Sequence, residues 1–143
     1  MNDQETNQQT SSSGQVPVTT ELPPILLIDD DPNVLETLKD ICESLNCGRL
    51  VTCLDPQAAF DEAADPSLGL IVCDYRFPNA SGVKFIGEVR QRGIETPVLF
   101  ISGTPDTDAV LVASQIRNTA FLGKPFTIQR FRDAIMRLLG RGS

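Results

Sequence analysis

The sequence predicts an α/β fold built on a doubly wound parallel sheet with helices on both faces. Two observations carry this prediction. Short segments that are almost continuously apolar alternate with longer segments in which apolar residues recur at helical spacing, and the alternation repeats five times. Strands without a polar side must be buried on both faces, which is typical of parallel strands between two layers of helices. We therefore predict a five-stranded parallel sheet.

The first two strand and helix pairs precede residue 66. The segment ILLI is the first strand, and the helix after it is predicted to end at Gly48, because glycine often terminates helices. The second strand is RLVTCL, and a short helix in DPQAAFDEAAD is predicted to begin with Asp55 as its cap and Pro56 in its first turn. The apolar face of the first helix consists of Val34, Leu35, Leu38, Ile41, Cys42 and Leu45.

The remaining three pairs complete the alternation. The third strand is LGLIVCD, followed by the loop YRFPNASG and the helix VKFIGEVRQRG. The fourth strand is PVLFIS, with a helix in TDAVLVASQIRN, and the fifth is AFLG, with the closing helix IQRFRDAIMRLLG. The fourth helix is apolar nearly all round, so Val110 and Leu111 are expected to be partly exposed and available to a partner.

The chain length and composition set the predicted domain boundaries. A chain of 143 residues can form one domain with a sizeable core. Residues 1–23 are rich in Gln, Thr, Ser and Asn and are predicted to be a disordered N-terminal tail. The folded domain is predicted over residues 24–140, with a C-terminal tail over 141–143. The sequence is either a stand-alone protein or a piece of a longer one, and because it begins with Met1 we expect the first.

The charge and hydropathy exclude several classes of function. No apolar run approaches the roughly 20 residues that span a bilayer, and no secretory signal is present, so we expect a cytoplasmic protein that does not bind a membrane. The net charge of −7 would repel a phosphate backbone, so no nucleic-acid partner is expected. Nine acidic residues and one basic residue lie up to Gly48, whereas ten basic and five acidic residues lie from Arg76 onward.

The cysteine and histidine content excludes several kinds of metal site and catalytic site. The four cysteines form no CxxC pair and the chain has no histidine, so a zinc site and a nucleophile activated by histidine are not expected. The lack of histidine also excludes a phosphohistidine on this chain. We expect the cysteines to be reduced core residues; they are Cys42, Cys47, Cys53 and Cys73.

Polar residues follow the predicted strands at the edge where doubly wound sheets bind ligands. Two carboxylates about 4 Å apart repel by roughly 4 kcal/mol at an effective dielectric near 20, so clustered acids need a cation. Hard oxygen ligands beside a lysine indicate Mg²⁺ and a phosphoryl group, with one carboxylate able to act as nucleophile toward phosphorus. The residues in question are Asp29, Asp30, Asp31, Asp74, Ser102 and Lys124.

Four segments in order, LLIDDDP, LIVCDYRFPNASGV, VLFISG and AFLGKPF, make residues 25–139 resemble a receiver domain of two-component response regulators, the fold of the chemotaxis receivers. The resemblance implies strand order 2-1-3-4-5. It also implies a phosphoacceptor that takes a phosphoryl group from a phosphohistidine donor in an Mg²⁺-dependent reaction, rather than an enzyme acting on other substrates. Slow self-dephosphorylation is the only hydrolysis implied.

The resemblance also assigns roles to individual residues. Asp74 would be the phosphoacceptor and a metal ligand, Asp30 a direct ligand of Mg²⁺ and Asp29 a ligand through water. Arg76 would offer its backbone carbonyl to the metal. Asp31, in contrast, is expected to cap the first helix.

Three further residues complete the implied site. Ser102 would be the switch hydroxyl that bonds the phosphoryl group, and Lys124 would contact another phosphoryl oxygen. The bond from Lys124 to Pro125 would be cis. Phe121 stands at the position of an aromatic switch residue.

The resemblance implies two kinds of protein partner. A sensor histidine kinase or a histidine phosphotransfer protein would be the donor. A downstream protein, or a second copy of this chain in a self-dimer, would bind the face made by the fourth helix, fifth strand and fifth helix.

Other classes remain open from the sequence. A haloacid-dehalogenase-type phosphatase would use Asp29 as nucleophile, with Ser102 and Lys124 as its later hydroxyl and lysine, but it needs an acidic pair after the lysine, where only Asp133 follows. A flavin-binding module would place phosphate where three aspartates repel it. A degenerate receiver that only binds partners is the other non-enzyme alternative.

Overall fold

The computed structural model describes residues 23–78, 80–103 and 107–140. Its main sheet has five parallel strands in the order β2-β1-β3-β6-β7, and a two-stranded hairpin, β4-β5, stands apart from it. The fourth and fifth strands of the main sheet are therefore β6 and β7, and the predicted order 2-1-3-4-5 is confirmed. The strands are β1 Ile25–Ile28, β2 Leu50–Cys53, β3 Leu70–Asp74, β4 Arg76–Phe77, β5 Ala80–Ser81, β6 Val98–Ser102 and β7 Thr119–Gly123; the helices are α1 Pro32–Ser44, α2 Phe60–Ala63, α3 Gly82–Gln91, α4 Thr107–Ser114 and α5 Ile128–Leu138.

Two hydrophobic cores lie on opposite faces of the sheet, which confirms the doubly wound α/β class. Alternate residues of β1 point to opposite faces: Ile25 and Leu27 join the core under α1 and α5, whereas Leu26 and Ile28 join the core under α2, α3 and α4. All four residues have no exposed surface. The continuous apolar character of the strand sequences follows from this double burial.

The end of the first helix and the type of the second helix differ from the sequence prediction. Helix α1 ends at Ser44 rather than near Gly48, because the chain turns at Asn46, whose φ is 63°. Asparagine tolerates this left-handed conformation better than most residues do, so it replaces the expected glycine. The predicted short second helix begins as a 3₁₀ turn at Pro56–Ala59 before α2, and Asp55 caps it by accepting a bond from the Gln57 N–H at 2.9 Å.

The predicted loop after β3 contains the β4-β5 hairpin, which leads directly into α3. Gly82 at the start of α3 lies against the end of β3, since a Cβ atom there would be 2.1 Å from the backbone oxygen of Asp74. No side chain fits at this position, and the close approach fixes α3 beside the strand end. The structure thereby gives Gly82 a packing role.

The tails predicted over residues 1–23 and 141–143 lie outside the described residues, apart from Pro23, and the domain boundaries stay a prediction. In the part of the chain that the structure describes, no helix is both long enough and apolar enough to cross a membrane. The exposure predicted for α4 is confirmed, since Val110 is 43% and Leu111 is 56% exposed.

Candidate functional site

Three acidic side chains meet at the carboxyl edge of the sheet. Strands β1 and β3 are neighbours with Ile28 opposite Cys73, so the residues that follow, Asp29 and Asp74, lie side by side. Carboxylate oxygens of Asp29, Asp30 and Asp74 all lie within 4.8 Å of one another. Asp29 is buried, Asp74 is half-buried and Asp30 is exposed, so the cluster opens to solvent on one side.

A lysine from the other half of the chain lies beside these acids. The Lys124 Nζ atom is 3.7 Å from Oδ2 of Asp29, and the Lys124 backbone N–H donates to the Ser102 carbonyl at 2.7 Å. Ser102 ends β6 and is 2% exposed. The peptide bond from Lys124 to Pro125 is cis, as the resemblance implies. One basic residue from the second half of the chain thus lies against an acidic residue from the first half.

The cluster makes ionisation of its acids costly. Burial raises the pKa of Asp29 to about 6, and repulsion from Asp74 and Asp30 adds to the rise. The Asp31 N–H, which donates to Asp29 Oδ1 at 2.9 Å, and the Lys124 charge oppose this rise. Burial likewise raises the pKa of Asp74, against the opposing effects of the Arg76 N–H bond at 3.3 Å and of Lys124. One lysine therefore leaves negative charge uncompensated.

This residual charge and the donor chemistry fit Mg²⁺. The three converging groups are carboxylates, the hard oxygen ligands that this ion prefers, and the open side leaves room for the water molecules that it retains. Burial is the main cause of the raised pKa values of Asp29 and Asp74, and a divalent ion would offset the repulsion among the carboxylates that adds to it. Receiver domains bind Mg²⁺ through acidic residues, and this cluster could hold such an ion.

Asp31 stands apart from the acidic cluster. It is exposed and caps α1, since its side chain accepts a bond from the Asn33 N–H at 2.9 Å. Its expected capping role is confirmed. The side chain satisfies one of the free N–H groups at the start of the helix.

Arg76 and Phe121 both contact Tyr75, a residue that the sequence reasoning missed. The Arg76 guanidinium carbon lies 5.3 Å from the centre of the Tyr75 ring, and the Phe121 ring lies 5.5 Å from it in an edge-on arrangement. A third ring, Phe100, is 6.0 Å away. Tyr75, the residue directly after Asp74, thereby connects the site to the half-buried Phe121 on β7. Its position next to Asp74 was the only signal in the sequence.

A largely apolar groove borders the site on the α1 side. Its volume is about 600 Å³, and Lys124 is among the residues that line it. The groove lies between α1 and the segment that joins β7 to α5. Its lining residues are Asn33, Val34, Thr37, Leu38, Ile41, Gly103, Lys124, Pro125 and Phe126.

A doubly wound sheet with converging acids and a lysine at its carboxyl edge defines a class of phosphoacceptor domains. The sequence model of the response regulator receiver domain family matches residues 25–136, and the chain belongs to this family. The resemblance drawn from the sequence is thereby confirmed. The protein is a receiver domain of two-component systems, whose response regulators act with histidine kinases.

Individual relatives agree with this assignment. The chain is 35% identical over 121 residues to the transcriptional regulatory protein FixJ of Azorhizobium caulinodans, covering 84% of this chain and 56% of FixJ. It is 30% identical over 112 residues to the response regulator protein TodT of Pseudomonas putida, covering 78% of this chain and 48% of TodT. The chain thus spans about half the length of these relatives.

Solved structures show the same fold. The chemotaxis protein CheY4 of Vibrio cholerae superposes with a TM-score of 0.75 at 20% identity, covering 82% of this chain and 99% of that chain. The haloacid-dehalogenase alternative finds no support in these comparisons. The acid on which it depends, Asp133, is exposed on α5, where it accepts a bond from Gln129 at 2.8 Å.

Proposed function

We propose that Asp74 accepts a phosphoryl group from a phosphohistidine donor, and that the domain signals by this modification rather than by acting as an enzyme on other substrates. The observation that carries the proposal is the convergence of Asp29, Asp30 and Asp74, with oxygens within 4.8 Å, beside Lys124. Among these acids, Asp74 is half-buried and ends the central strand β3, so its carboxylate is both held in place and reachable.

The proposed transfer divides the work among residues of the site. An oxygen of Asp74 attacks phosphorus, the bond from phosphorus to the donor nitrogen breaks, and the imidazole leaves with that electron pair. Lys124 stabilises charge on one phosphoryl oxygen, and the Ser102 hydroxyl donates to another. The two residues lie close together because Ser102 ends β6 opposite Gly123, the last residue of the neighbouring strand β7, and Lys124 directly follows Gly123.

Mg²⁺ would be held by Asp30 and Asp74, by Asp29 through water and by the backbone carbonyl of Arg76. When bound, the ion neutralises the carboxylates and polarises the phosphoryl oxygens. The chain itself supplies the fixed geometry, since Asp29 is anchored by the Asp31 N–H and by Lys124.

Phosphorylation would add about −1.5 to −2 charges to the site, and Ser102 and Phe121 would respond as switch residues. The face formed by α4, β7 and α5 would carry the response to a downstream protein or to a second copy of the chain. Support comes from Phe121, which lies on this face and contacts Tyr75 beside the site, and from the exposed apolar residues Val110, Leu111 and Val112.

The donor would be a sensor histidine kinase or a histidine phosphotransfer protein. The apolar groove between α1 and the segment that joins β7 to α5 supports a protein donor, since it offers a docking surface next to the acidic cluster. Binding to nucleic acid by these residues is disfavoured by the net charge of −7, and we propose a cytoplasmic location.

The test measures stable incorporation of label from a small phosphodonor such as acetyl phosphate with Mg²⁺. Asp74→Asn is expected to abolish labelling, and Lys124→Met to slow it by about 10²-fold or more, the range seen on removing one group that stabilises developing charge. Asp133→Asn is the matched control, since it removes an exposed carboxylate outside the cluster. Label retained in Asp74→Ala would overturn the assignment and favour Asp29 as nucleophile.

Tyrosine fluorescence provides a second test, which uses the native chain without a label. Tyr75 is the only tyrosine and the chain has no tryptophan, so the intrinsic fluorescence of the protein reports on this one ring beside the site. Beryllofluoride with Mg²⁺ is expected to change the Tyr75 emission in the native protein and leave it unchanged in Asp74→Asn.

A further inference from the structure

The C-terminal end of α1 places two cysteine side chains against each other. After Ser44 the chain turns at Asn46, whose N–H donates to the Glu43 carbonyl at 3.1 Å. The Cys47 N–H donates to the Cys42 carbonyl, also at 3.1 Å. These two bonds define a Schellman motif, in which the side chains at the third-last helical position and the second position beyond the cap meet. Here two thiols make a contact that apolar side chains usually make.

The two thiols are chemically unequal. Cys42 has no exposed surface, whereas Cys47 is half-buried. A hydrogen bond from the Cys42 thiol to the Cys47 sulfur raises the pKa of Cys42, which burial raises further, and lowers the pKa of Cys47. Cys47 is therefore the thiol that both contacts solvent and loses its proton more readily, the two properties that make a cysteine reactive.

We infer that Cys42 and Cys47 form a redox modification site that a peroxide converts into an intramolecular disulfide. This inference goes beyond the proposed function, since neither thiol belongs to the acidic cluster. The Cys47 thiolate attacks the peroxide, an S–O bond forms, the O–O bond breaks and hydroxide leaves. The Cys42 sulfur then attacks the sulfenic sulfur of Cys47, the S–S bond replaces the S–O bond, and water leaves with the Cys42 proton. The sulfurs lose two electrons and the peroxide gains them.

The other two cysteines provide an internal control. Cys53 and Cys73 both lie opposite Ile28, on the two strands that flank β1. Two strand spacings separate them by roughly 9–10 Å, beyond the Cα distance that a disulfide tolerates. The fold therefore allows a disulfide between Cys42 and Cys47 but not between Cys53 and Cys73.

Peptide mapping separates the two pairs. Trypsin cleaves after Lys39, Arg49 and Arg76, so residues 40–49 carry Cys42 and Cys47 while residues 50–76 carry the other two cysteines. The folded native chain is treated with hydrogen peroxide, unfolded, alkylated and digested. We expect the first peptide to lose two hydrogens and take no alkyl group, the second to take two, and dithiothreitol to reverse the change.

The turn itself is tested with two substitutions at one position. Asn46→Gly keeps the positive φ and is expected to form the disulfide at the native rate, within about twofold. Asn46→Val disfavours that conformation and is expected to slow the reaction by about tenfold or more. Cys47→Ser should leave Cys42 unoxidised because it is buried.

Three results would overturn the inference. They are alkylation of both thiols in residues 40–49 after peroxide treatment, disulfides that join two chains instead, and equal rates of disulfide formation in the folded and the urea-unfolded native chain. The comparison of folded with urea-unfolded chain uses only the native sequence, so it does not depend on whether a variant folds. Labelling at Asp74 is expected to be unchanged in Cys47→Ser, so failure of either proposal can be recognised separately.

Discussion

Asp29 is the residue whose burial shapes the chemistry of the site. It is 2% exposed, it faces two other carboxylates, and Lys124 provides a cationic side chain at 3.7 Å. The position of Asp29 directly after an apolar strand made it predictable. Asp74 and Lys124 were predictable for the same reason, because all three lie at the ends of strands that must meet at one edge of the sheet. Tyr75 and the Cys42–Cys47 contact were not predictable, because they depend on how side chains pack and not on where strands end.

The pKa of Asp29 gives the folded protein a specific dependence on pH. Below pH about 4 Asp29 is protonated in both the folded and the unfolded chain. Between pH about 4 and 6 it ionises only in the unfolded chain, so the free energy of unfolding falls by roughly 3 kcal/mol and stays lowered above that range. In a chelator, Asp29→Asn should therefore gain roughly that much stability relative to the native chain between pH 4 and pH 7.

Urea denaturation of both proteins at the two pH values measures this difference. Asp133→Asn serves as the control for the loss of one negative charge, since its carboxylate is exposed on α5. A stability difference between Asp29→Asn and the native chain that is the same at pH 4 and pH 7 would contradict the prediction.

At the scale of elements, helix starts were predicted better than helix ends. Asp31 and Asp55 precede helices as capping residues, and the structure shows both accepting the expected N–H bonds. The end of α1 was misplaced because Gly48 and Asn46 can both end a helix, and the sequence does not say which one takes the left-handed conformation. The β4-β5 hairpin was missed because two-residue strands have no periodicity.

The side chain of Asp31 stabilises the start of α1 as its cap. Asp31→Ala should lower the free energy of unfolding by about 1 kcal/mol, because the Asn33 N–H loses its acceptor. Asp31→Ser should retain most of that stability, since serine is also an effective cap. Mg²⁺ titrations followed by Tyr75 fluorescence should be alike in Asp31→Ser and the native chain, and a large loss of Mg²⁺ affinity there would make Asp31 a ligand instead.

Arg90 joins separate elements from a buried position. It lies near the end of α3 and is 8% exposed, and its guanidinium donates to the carbonyls of Ile94, Arg117 and Asn118. Arg90→Met removes these donors, so the carbonyls of Arg117 and Asn118, between α4 and β7, lose the hydrogen bonds from Arg90. We expect a loss of about 3 kcal/mol in the free energy of unfolding.

Arg117→Met is the matched control, because Arg117 is an exposed arginine paired with Glu95. Its substitution should lower the free energy of unfolding much less than Arg90→Met does, because solvent weakens an exposed ion pair. Hydrogen exchange at β7 amides should become faster in Arg90→Met than in Arg117→Met. Equal stabilities of the two variants would show that the buried contacts of Arg90 contribute nothing.

At the scale of the whole molecule, the acidic site exists only when the chain is folded. Asp29 and Asp30 follow β1, Asp74 ends β3 and Lys124 follows β7, so residues spread over much of the sequence meet at one sheet edge. The sequence predicted this convergence because parallel strands align their carboxyl ends. A cation that binds the three carboxylates together therefore binds the folded chain and not the unfolded one, and its binding must raise stability.

Mg²⁺ at a hundred times its dissociation constant should raise the free energy of unfolding by about 2.7 kcal/mol. The stabilisation should shrink as the pH falls through about 6, because Asp29 then binds a proton and the cluster loses charge that attracts the cation. Thermal unfolding at pH 5 and pH 7, with and without Mg²⁺, measures both effects. Asp30→Asn should lose most of the stabilisation and Asp133→Asn should keep it, since only the first belongs to the cluster. Equal stabilisation of the native chain at both pH values, or undiminished stabilisation of Asp30→Asn, would place the ion somewhere other than among these three acids.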